Sequence, residues 1–307
     1  MIANAPSRKD VAVKFALAAT LLAFGIPGAM GADLPVKARP APPPVFGWSG
    51  CYVGGNAGWI GSDGHRETAP AGSYLTTPGA GAPPNLAGSG DFAANIASLT
   101  DSYGSRDSGG LIGVQAGCNM QKGQFVFGVE GDWAWTSLSS TSNAAFAAFP
   151  NVGNPLFTTA ARTEQVSTRL DSLATFRGRV GFAWKQFFLY GTGGLATGGI
   201  RSNTNVTFAP LPGFAQTYSG AVQLGSGSSW QVGWTAGAGG EYAFNANWSL
   251  KVEYLYVDLG TFTYFSPLTT ATAAFAPGYS WRTSVTERDH IVRVGLNYHF
   301  GDTVAKY

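Results

Sequence analysis

In residues 290–300, HIVRVGLNYHF, apolar side chains alternate from Val292 onwards with side chains that are polar or small. The apolar positions are Val292, Val294, Leu296, Tyr298 and Phe300. Successive side chains of a β-strand point to opposite faces, so this segment has one apolar face and one polar face. The pattern predicts a strand whose apolar face meets either a protein core or a membrane.

Seven earlier segments show the same alternation. They occupy residues 51–60, 111–121, 125–135, 172–184, 187–196, 234–244 and 248–260. Because segment 187–196 is rich in glycine, its sequence does not show which of its side chains point to the apolar face. A tilted strand of about 9–11 residues crosses a lipid bilayer. The chain therefore contains eight predicted strands of transmembrane length.

The connections between these segments alternate in length. Short turns are predicted at 122–123, 185–186 and 245–247, and long polar stretches at 61–110, 136–168, 197–229 and 261–285. The third stretch also contains two segments that look extended, NVTFA and GAVQL, which leaves a ten-stranded fold as an alternative. Short turns on one side and long loops on the other are typical of bacterial outer-membrane barrels. The pattern predicts an all-β fold, an eight-stranded antiparallel transmembrane β-barrel with short periplasmic turns, four long extracellular loops and both termini periplasmic.

The composition favours the membrane interpretation. Only 12% of the 307 residues are charged, while 13% are aromatic and 43 are glycine. Soluble domains carry about twice that share of charged residues. Heat-modifiable migration on a detergent gel would separate a barrel from the alternative, a soluble secreted sandwich.

The first residues have the features of an export signal. Three basic residues (Arg8, Lys9 and Lys14) precede the apolar run FALAATLLAFGI and the small residues AMGA. That run is shorter than the roughly 20 residues of a membrane-spanning helix. We predict a signal peptide at 1–31, a proline-rich periplasmic leader at 32–47, the barrel at 48–300 and a tail at 301–307. The whole chain has a net charge of +2, and the predicted signal peptide also carries a net +2. The mature chain is therefore close to neutral, and its charge does not favour nucleic-acid binding.

Eight charged residues fall on the predicted inward faces. They are Glu130, Asp132, Arg177, Arg179, Glu241, Lys251, Glu253 and Arg293. An eight-stranded barrel has little interior room beyond its side chains, and unpaired buried charges are costly. We expect these residues to pair into a network that plugs the barrel. A narrow, selective pore is the alternative. No catalytic residue, metal ligand or cofactor is predicted, because nothing marks a nucleophile or a substrate cleft.

Two cysteines and three histidines complete the candidate residues. Cys51 and Cys118 are expected to face outward near the periplasmic ends of adjacent strands. A disulfide between them is possible, because an exported protein meets oxidising conditions. A Cα separation beyond about 7 Å would exclude the disulfide, and two cysteines alone make no metal site. His290 is predicted at the outer end of the last strand without a matching serine motif, His65 in a loop, and His299 inward as a hydrogen-bonding residue.

Several segments together resemble the outer-membrane immunogenic proteins, which are small porin-family outer-membrane β-barrel proteins of Gram-negative bacteria. The segments are ADLPVKA, WSGCYVGGNAG, GVQAGCN, FGVEGDW, RGRVGFAW, LYGTGGLA, VEYLYVDLG and HIVRVGLNYHF. The resemblance implies an eight-stranded barrel in the outer membrane with exposed, often antigenic loops, and it implies no settled molecular activity. Family members usually end at the position of Phe300, an aromatic residue that the barrel-assembly machinery is thought to read. Here GDTVAKY follows it.

The sequence thus predicts a non-enzymatic protein integral to the bacterial outer membrane, with a structural and surface-interaction role. The expected partners are outer-membrane lipid and lipopolysaccharide, the barrel-assembly machinery, and an unknown surface ligand bound by the loops. A low-conductance porin for small solutes is the first alternative. A lipid-modifying enzyme is the second.

Overall fold

The computed structural model describes residues 46–71, 100–151, 154–159, 161–209, 222–267 and 280–300. The described part of the chain forms eleven β-strands: β1 (Gly50–Ala71), β2 (Asp101–Lys122), β3 (Phe125–Thr136), β4 (Ser139–Phe146), β5 (Phe149–Asn151), β6 (Asn154–Thr159), β7 (Arg162–Trp184), β8 (Phe187–Phe208), β9 (Val222–Ala243), β10 (Trp248–Pro267) and β11 (Ser280–Phe300). Within the described residues, there is no helix that is long and apolar enough to cross a membrane. The predicted signal peptide and the tail at 301–307 lie outside the described residues, as does the leader before Phe46.

Nine of these strands form one antiparallel sheet, in the order β3-β2-β1-β11-β10-β9-β8-β7-β4. β3 also pairs with β7, so the sheet closes on itself. Where β3 ends, β4 takes its place beside β7 and pairs with its first residues. β5 and β6 form a separate two-stranded sheet. In the part of the sheet where β3 pairs with β7, each strand has a partner on both sides, as a sheet surrounded by lipid requires.

Each predicted segment coincides with part of a strand, but the strands continue much further than predicted. The expected loop boundaries are therefore wrong: β1 runs to Ala71 and β2 begins at Asp101, for example. His65 lies in β1 opposite Thr286, and not in a loop. Glycine, serine and threonine indicated loops there, yet backbone pairing continues wherever two neighbouring strands stay aligned, whatever their side chains. Residues 72–99, 210–221 and 268–279 of the predicted loops fall outside the described residues.

The two segments of the predicted extra hairpin are continuations of β8 and β9. They pair with each other directly, with Asn205 opposite Leu224 and Thr207 opposite Val222. They looked extended because they are the far ends of two long strands.

Three tight connections lie at one end of the closed sheet, here called the turn end. Residues 123–124 join β2 to β3, residues 185–186 join β7 to β8, and residues 244–247 join β9 to β10. Gly123 has a φ of 63°, in the left-handed region that favours glycine. β1 begins at this end and β11 finishes there, since Cys51 pairs with Phe300. The opposite end is called the loop end.

The outward face carries an apolar band between two aromatic girdles. Exposed rings at the turn end are in contact in pairs, such as Phe125 with Phe182 and Trp248 with Tyr298. Exposed tryptophans form the second border, including Trp59, Trp135 and Trp230. The band covers about ten residues of each strand, which at the usual tilt gives a height of roughly 25 Å, the value for an outer-membrane barrel.

The inward face is filled in four layers, named here from the turn end. The aromatic layer contains Phe46, Trp48, Val126, Ala183, Phe188, Tyr190 and Ala243. Next comes the charge layer. The apolar layer contains Ile60, Leu111, Ala134, Leu138, Leu170, Leu173, Ala196, Ile200, Leu255, Val257, Leu259 and Ile291. The upper polar layer, towards the loop end, includes Arg66, Thr68, Arg162 and Glu164.

Candidate functional site

The structure brings all eight predicted charged side chains together in the charge layer. Each of them exposes at most 2% of its side chain. They come from five strands, β3, β7, β9, β10 and β11. Every second position of a strand points inward, so the sequence pattern located these residues, whereas closure of the sheet sets which of them meet.

Glu130 on β3 is the most highly connected acid of the layer. Its carboxylate accepts hydrogen bonds from Arg177 Nη2 at 2.5 Å and from Lys251 Nζ at 2.9 Å. Arg179 Nη1 lies 3.5 Å away on its other oxygen. Lys251 is fully buried, and its other acid, Glu253, is 3.9 Å distant. Glu130 is therefore the main counter-charge of a buried lysine.

Two arginines link Asp132 and Glu253, while Arg179 pairs with Glu241 at 3.3 Å. Arg177 contacts Asp132 at 2.8 Å and Glu253 at 3.1 Å in addition to Glu130. Arg293 reaches the same two acids, with Nη1 3.0 Å from Asp132 and Nη2 2.7 Å from Glu253. Four acids and four bases give the layer no net charge. Such mutual pairing is what allows ionised groups to stay in a dry interior.

Uncharged side chains complete the hydrogen bonds of the acids. Tyr52 donates to Glu130 at 2.5 Å and Tyr190 donates to Glu253 at 2.9 Å. Glu241 accepts from Asn297 at 2.7 Å and Ser249 at 2.5 Å, and His299 contacts both Ser249 and Glu241. The sequence analysis did not name the two tyrosines. The alternation of β1 offered a usable signal for Tyr52, whereas the facing of the segment that contains Tyr190 was left open.

The aromatic layer closes the turn end of the interior. Trp48 is fully buried, and its ring lies 4.8 Å from Phe46 and 5.2 Å from Phe188. Its backbone N–H donates to Gln121 Oε1 at 2.7 Å. Phe46 belongs to the predicted leader, so the last residues of that segment enter the interior. Arg179 lies over the rings of Phe188 and Tyr190 and joins this layer to the charges above.

The apolar layer lies above the charges and draws side chains from seven strands, while the buried Asp289 on β11 lies opposite its member Val257. Leu170 on β7 and Leu259 on β10 both lie against Gly198 of β8, where an added methyl group would come within 2.9 Å and 2.7 Å of their Cδ1 atoms. Side chains from non-adjacent strands thus meet over an inward glycine. The sequence analysis missed this layer, because each strand contributes few apolar residues to it and no single strand shows a pattern.

The upper polar layer is a second buried network. Glu164 accepts from Thr68 at 2.7 Å and from Arg162 at 2.8 Å, and Arg162 also pairs with Asp101. Burial raises the pKa of the Glu164 carboxyl above its usual value, against the opposing effect of Arg162 and Thr68. None of these residues was predicted, because they fall in stretches that we expected to be loops.

The remaining candidate residues lie on the outward face. Cys51 and Cys118 are directly opposite in the pairing of β1 and β2, with Cα atoms 3.9 Å apart, and they form a disulfide. Phe300 packs against Tyr298 in the turn-end girdle. His290 shares a hydrogen bond of 2.7 Å with the hydroxyl of Tyr254 and lies 3.8 Å from Asp63.

Comparison with known proteins identifies the family. Residues 38–300 match the family described as "Outer membrane protein beta-barrel domain". The chain is 30% identical over 295 residues to the 31 kDa outer-membrane immunogenic protein of Brucella melitensis, an alignment that covers 94% of this chain and all of that protein. It is 27% identical over 190 residues to the 25 kDa outer-membrane immunogenic protein of Brucella abortus, covering 61% and 64% of the two chains.

A solved structure, the outer membrane protease OmpT from Escherichia coli, shares 10% identity with this chain, at a TM-score of 0.44 and coverage of 83% of this chain and 98% of that one. That likeness is too low to bear on activity. The family match covers most of the chain, and the Brucella melitensis relative is aligned over its whole length. Both findings confirm the family resemblance seen in the sequence. The chain belongs to the outer membrane protein β-barrel family of Gram-negative bacteria.

Proposed function

We propose that the protein is an eight-stranded transmembrane barrel with a sealed interior, and that it anchors surface-exposed segments without conducting solutes. The count of eight treats β3 and β4 as one strand interrupted at residues 137–138. Backbone bonds continue across the interruption, from Ser137 N to Gly110 O at 2.9 Å and from Leu170 N to Leu138 O at 3.2 Å. Leu138 turns into the apolar layer at this point.

The observation that carries the proposal is the apolar layer. A hydrated ion that enters the barrel would have to shed its water against leucine and isoleucine side chains, which is why apolar constrictions close channels. The paired charges below and the aromatic layer beneath them fill the rest of the bore. A low-conductance porin, the alternative from the sequence, needs a continuous polar path, and the apolar layer argues against one.

The surface role rests on the strands that continue past the apolar band. About ten residues of each long strand extend beyond the second girdle, so the described loop ends of these strands lie roughly 20–25 Å beyond that girdle. The connections between such strands are where binding usually resides. The relatives are named immunogenic and their names carry no activity. We therefore propose a non-enzymatic surface protein whose ligand binds these connections.

We place the turn end and both termini in the periplasm and the loop end outside the cell. Outer-membrane barrels keep short turns inside and long connections outside. In this orientation, Phe300 lies at the periplasmic girdle, where we propose that the assembly machinery reads it. Lipopolysaccharide then surrounds the second girdle.

Cysteine labelling in intact cells tests this orientation. The native cysteines are bonded to each other and should not react. A membrane-impermeant maleimide should label Asn203→Cys, on the exposed loop end of β8, in intact cells. Gly123→Cys, in a turn, should react only after the outer membrane is permeabilised. The reverse result would overturn the proposed surface role.

A further inference from the structure

We propose that the outer face of β7 and β8 binds a phosphate group of an outer-leaflet lipid through Arg169 and Arg201. The inference rests on the proposed orientation, which puts the loop end on the side of the outer leaflet. It concerns a place on the lipid-facing surface that is separate from the interior layers.

The two arginines form a pair that shares one acid. Arg169 and Arg201 are directly opposite in the register of β7 and β8, and their side chains are 63% and 71% exposed. Their Nε atoms lie 3.1 and 2.8 Å from the two carboxylate oxygens of Asp171. Two guanidinium groups on one carboxylate leave a net charge of +1, and the described residues show no partner for their outer nitrogen atoms.

The other arginines on this part of the outer face differ in that each has its own acid. Arg106 pairs with Asp63, Arg282 with Glu67 and Arg288 with Asp258, at 3.0–3.3 Å. Each of these pairs is neutral. Among the described outward pairs beyond the second girdle, the positive excess is therefore concentrated at Arg169 and Arg201.

The height of the pair on the barrel matches a lipid headgroup. Trp230 of the second girdle is opposite Gly199, two residues from Arg201 and hence about 7 Å along the strand. Trp133 of β3, which is opposite Ala174 of β7, has its ring centroid 5.7 Å from that of Trp230. Tryptophan marks the boundary between hydrocarbon and headgroups, so the arginines lie just on the polar side of that boundary.

This arrangement suits a phosphorylated lipid better than a free anion. Guanidinium groups bind phosphate oxygens in pairs of parallel hydrogen bonds, and two neighbouring guanidinium groups can share one phosphate. A lipid would add contacts between its acyl chains and the apolar band beneath the tryptophans. We therefore assign the site to the phosphate of an outer-leaflet glycolipid of the lipid A class.

The test measures lipid binding by the refolded full-length mature protein in zwitterionic detergent micelles. Bisphosphorylated lipid A is titrated in, and protection is followed as the rise in the temperature at which the folded gel band is lost. The Arg169→Gln/Arg201→Gln variant should need at least about tenfold more lipid A than the wild type for half of the effect. The matched control, Arg282→Gln/Arg288→Gln, should behave like the wild type, and inorganic phosphate at the same concentration should not protect.

Three results would overturn the proposal. Equal protection of the wild type and Arg169→Gln/Arg201→Gln by lipid A would show that the two arginines do not form the binding site. Equal weakening in both double variants would mean a general effect of surface charge. Protection by inorganic phosphate alone would show an anion site and no lipid site. Because micelles impose no orientation, these results are independent of cysteine labelling in cells, which decides the orientation of the barrel.

Discussion

Glu130 shows how strongly single residues depend on closure of the sheet. Its inward position followed from the alternation of β3, and so did that of the other seven charges. Its partners could not be predicted, because Arg177, Lys251 and Tyr52 come from three other strands whose heights depend on the register. At this scale, the sequence determines which face a side chain occupies, and the pairing of strands determines its contacts.

Substitution of Glu130 should therefore be costly. Glu130→Gln keeps the shape of the side chain but removes the main counter-charge of the buried Lys251, so we expect a loss of about 3–5 kcal/mol in the free energy of unfolding. The measurement is chemical unfolding in lipid vesicles, followed by tryptophan fluorescence.

The matched control is Glu67→Gln, which removes the same charge from an exposed ion pair with Arg282 on the outward face. That change should cost no more than about 1 kcal/mol. Equal effects of the two substitutions would contradict the view that the charge layer depends on mutual pairing.

At the scale of elements, the strands were predicted in position but not in length. Alternation of apolar and polar residues weakens where β1, β8 and β10 leave the apolar band, since the outward face is polar from there on and the inward face mixes polar residues with buried apolar ones such as Val206 and Phe208. The signal on which the prediction relied weakens with it, although backbone pairing continues. The interruption between β3 and β4 was missed for a related reason, because Leu138 looked like part of a loop and is instead a member of the apolar layer.

Two neighbouring glycines of β9 test how the inward face is filled. A methyl group at Gly239 would lie 2.6 Å from the hydroxyl of Tyr190 and 2.9 Å from the carbonyl oxygen of Val252. Gly239→Ala should displace Tyr190 from Glu253 and destabilise the fold by about 1–3 kcal/mol, measured by the same unfolding experiment.

Gly240→Ala is the control on the opposite face of the same strand. There the nearest atom to an added methyl group is the mobile Cδ2 of Leu189, at 3.2 Å. We expect a change of less than about 0.5 kcal/mol, as for ordinary surface substitutions. A larger loss at Gly240 than at Gly239 would mean that the assigned inward and outward faces of β9 are reversed.

The disulfide ties β1 to β2 at the turn end. It joins residues 67 apart in sequence. Without it, a long loop of the unfolded chain becomes free, and the conformational entropy of the unfolded state rises. Cys51→Ser/Cys118→Ser should lower the free energy of unfolding by about 2–4 kcal/mol. Reductant should destabilise the wild type by a similar amount and leave the double variant unchanged. A wild type that is insensitive to reductant would contradict a structural role for the bond.

At the scale of the whole molecule, the interior is a stack of layers with different chemistry. The sequence analysis predicted the charged plug, and it had no means of predicting the apolar layer above or the position of Phe46 and Trp48 below. Both depend on residues from many strands reaching the same height, which is a property of the closed sheet. The apolar layer is what distinguishes a sealed anchor from a narrow pore, because paired charges alone could rearrange to let ions pass.

The most direct test of the sealed interior is the ion conductance of the wild-type protein in a planar lipid bilayer. Heat-modifiable migration of the same preparation shows that the protein is folded. We predict no current above that of the bare membrane at either polarity, because the buried side chains of the apolar layer lie in the path that an ion would take. Discrete, reproducible openings would contradict the account and would make the protein a porin.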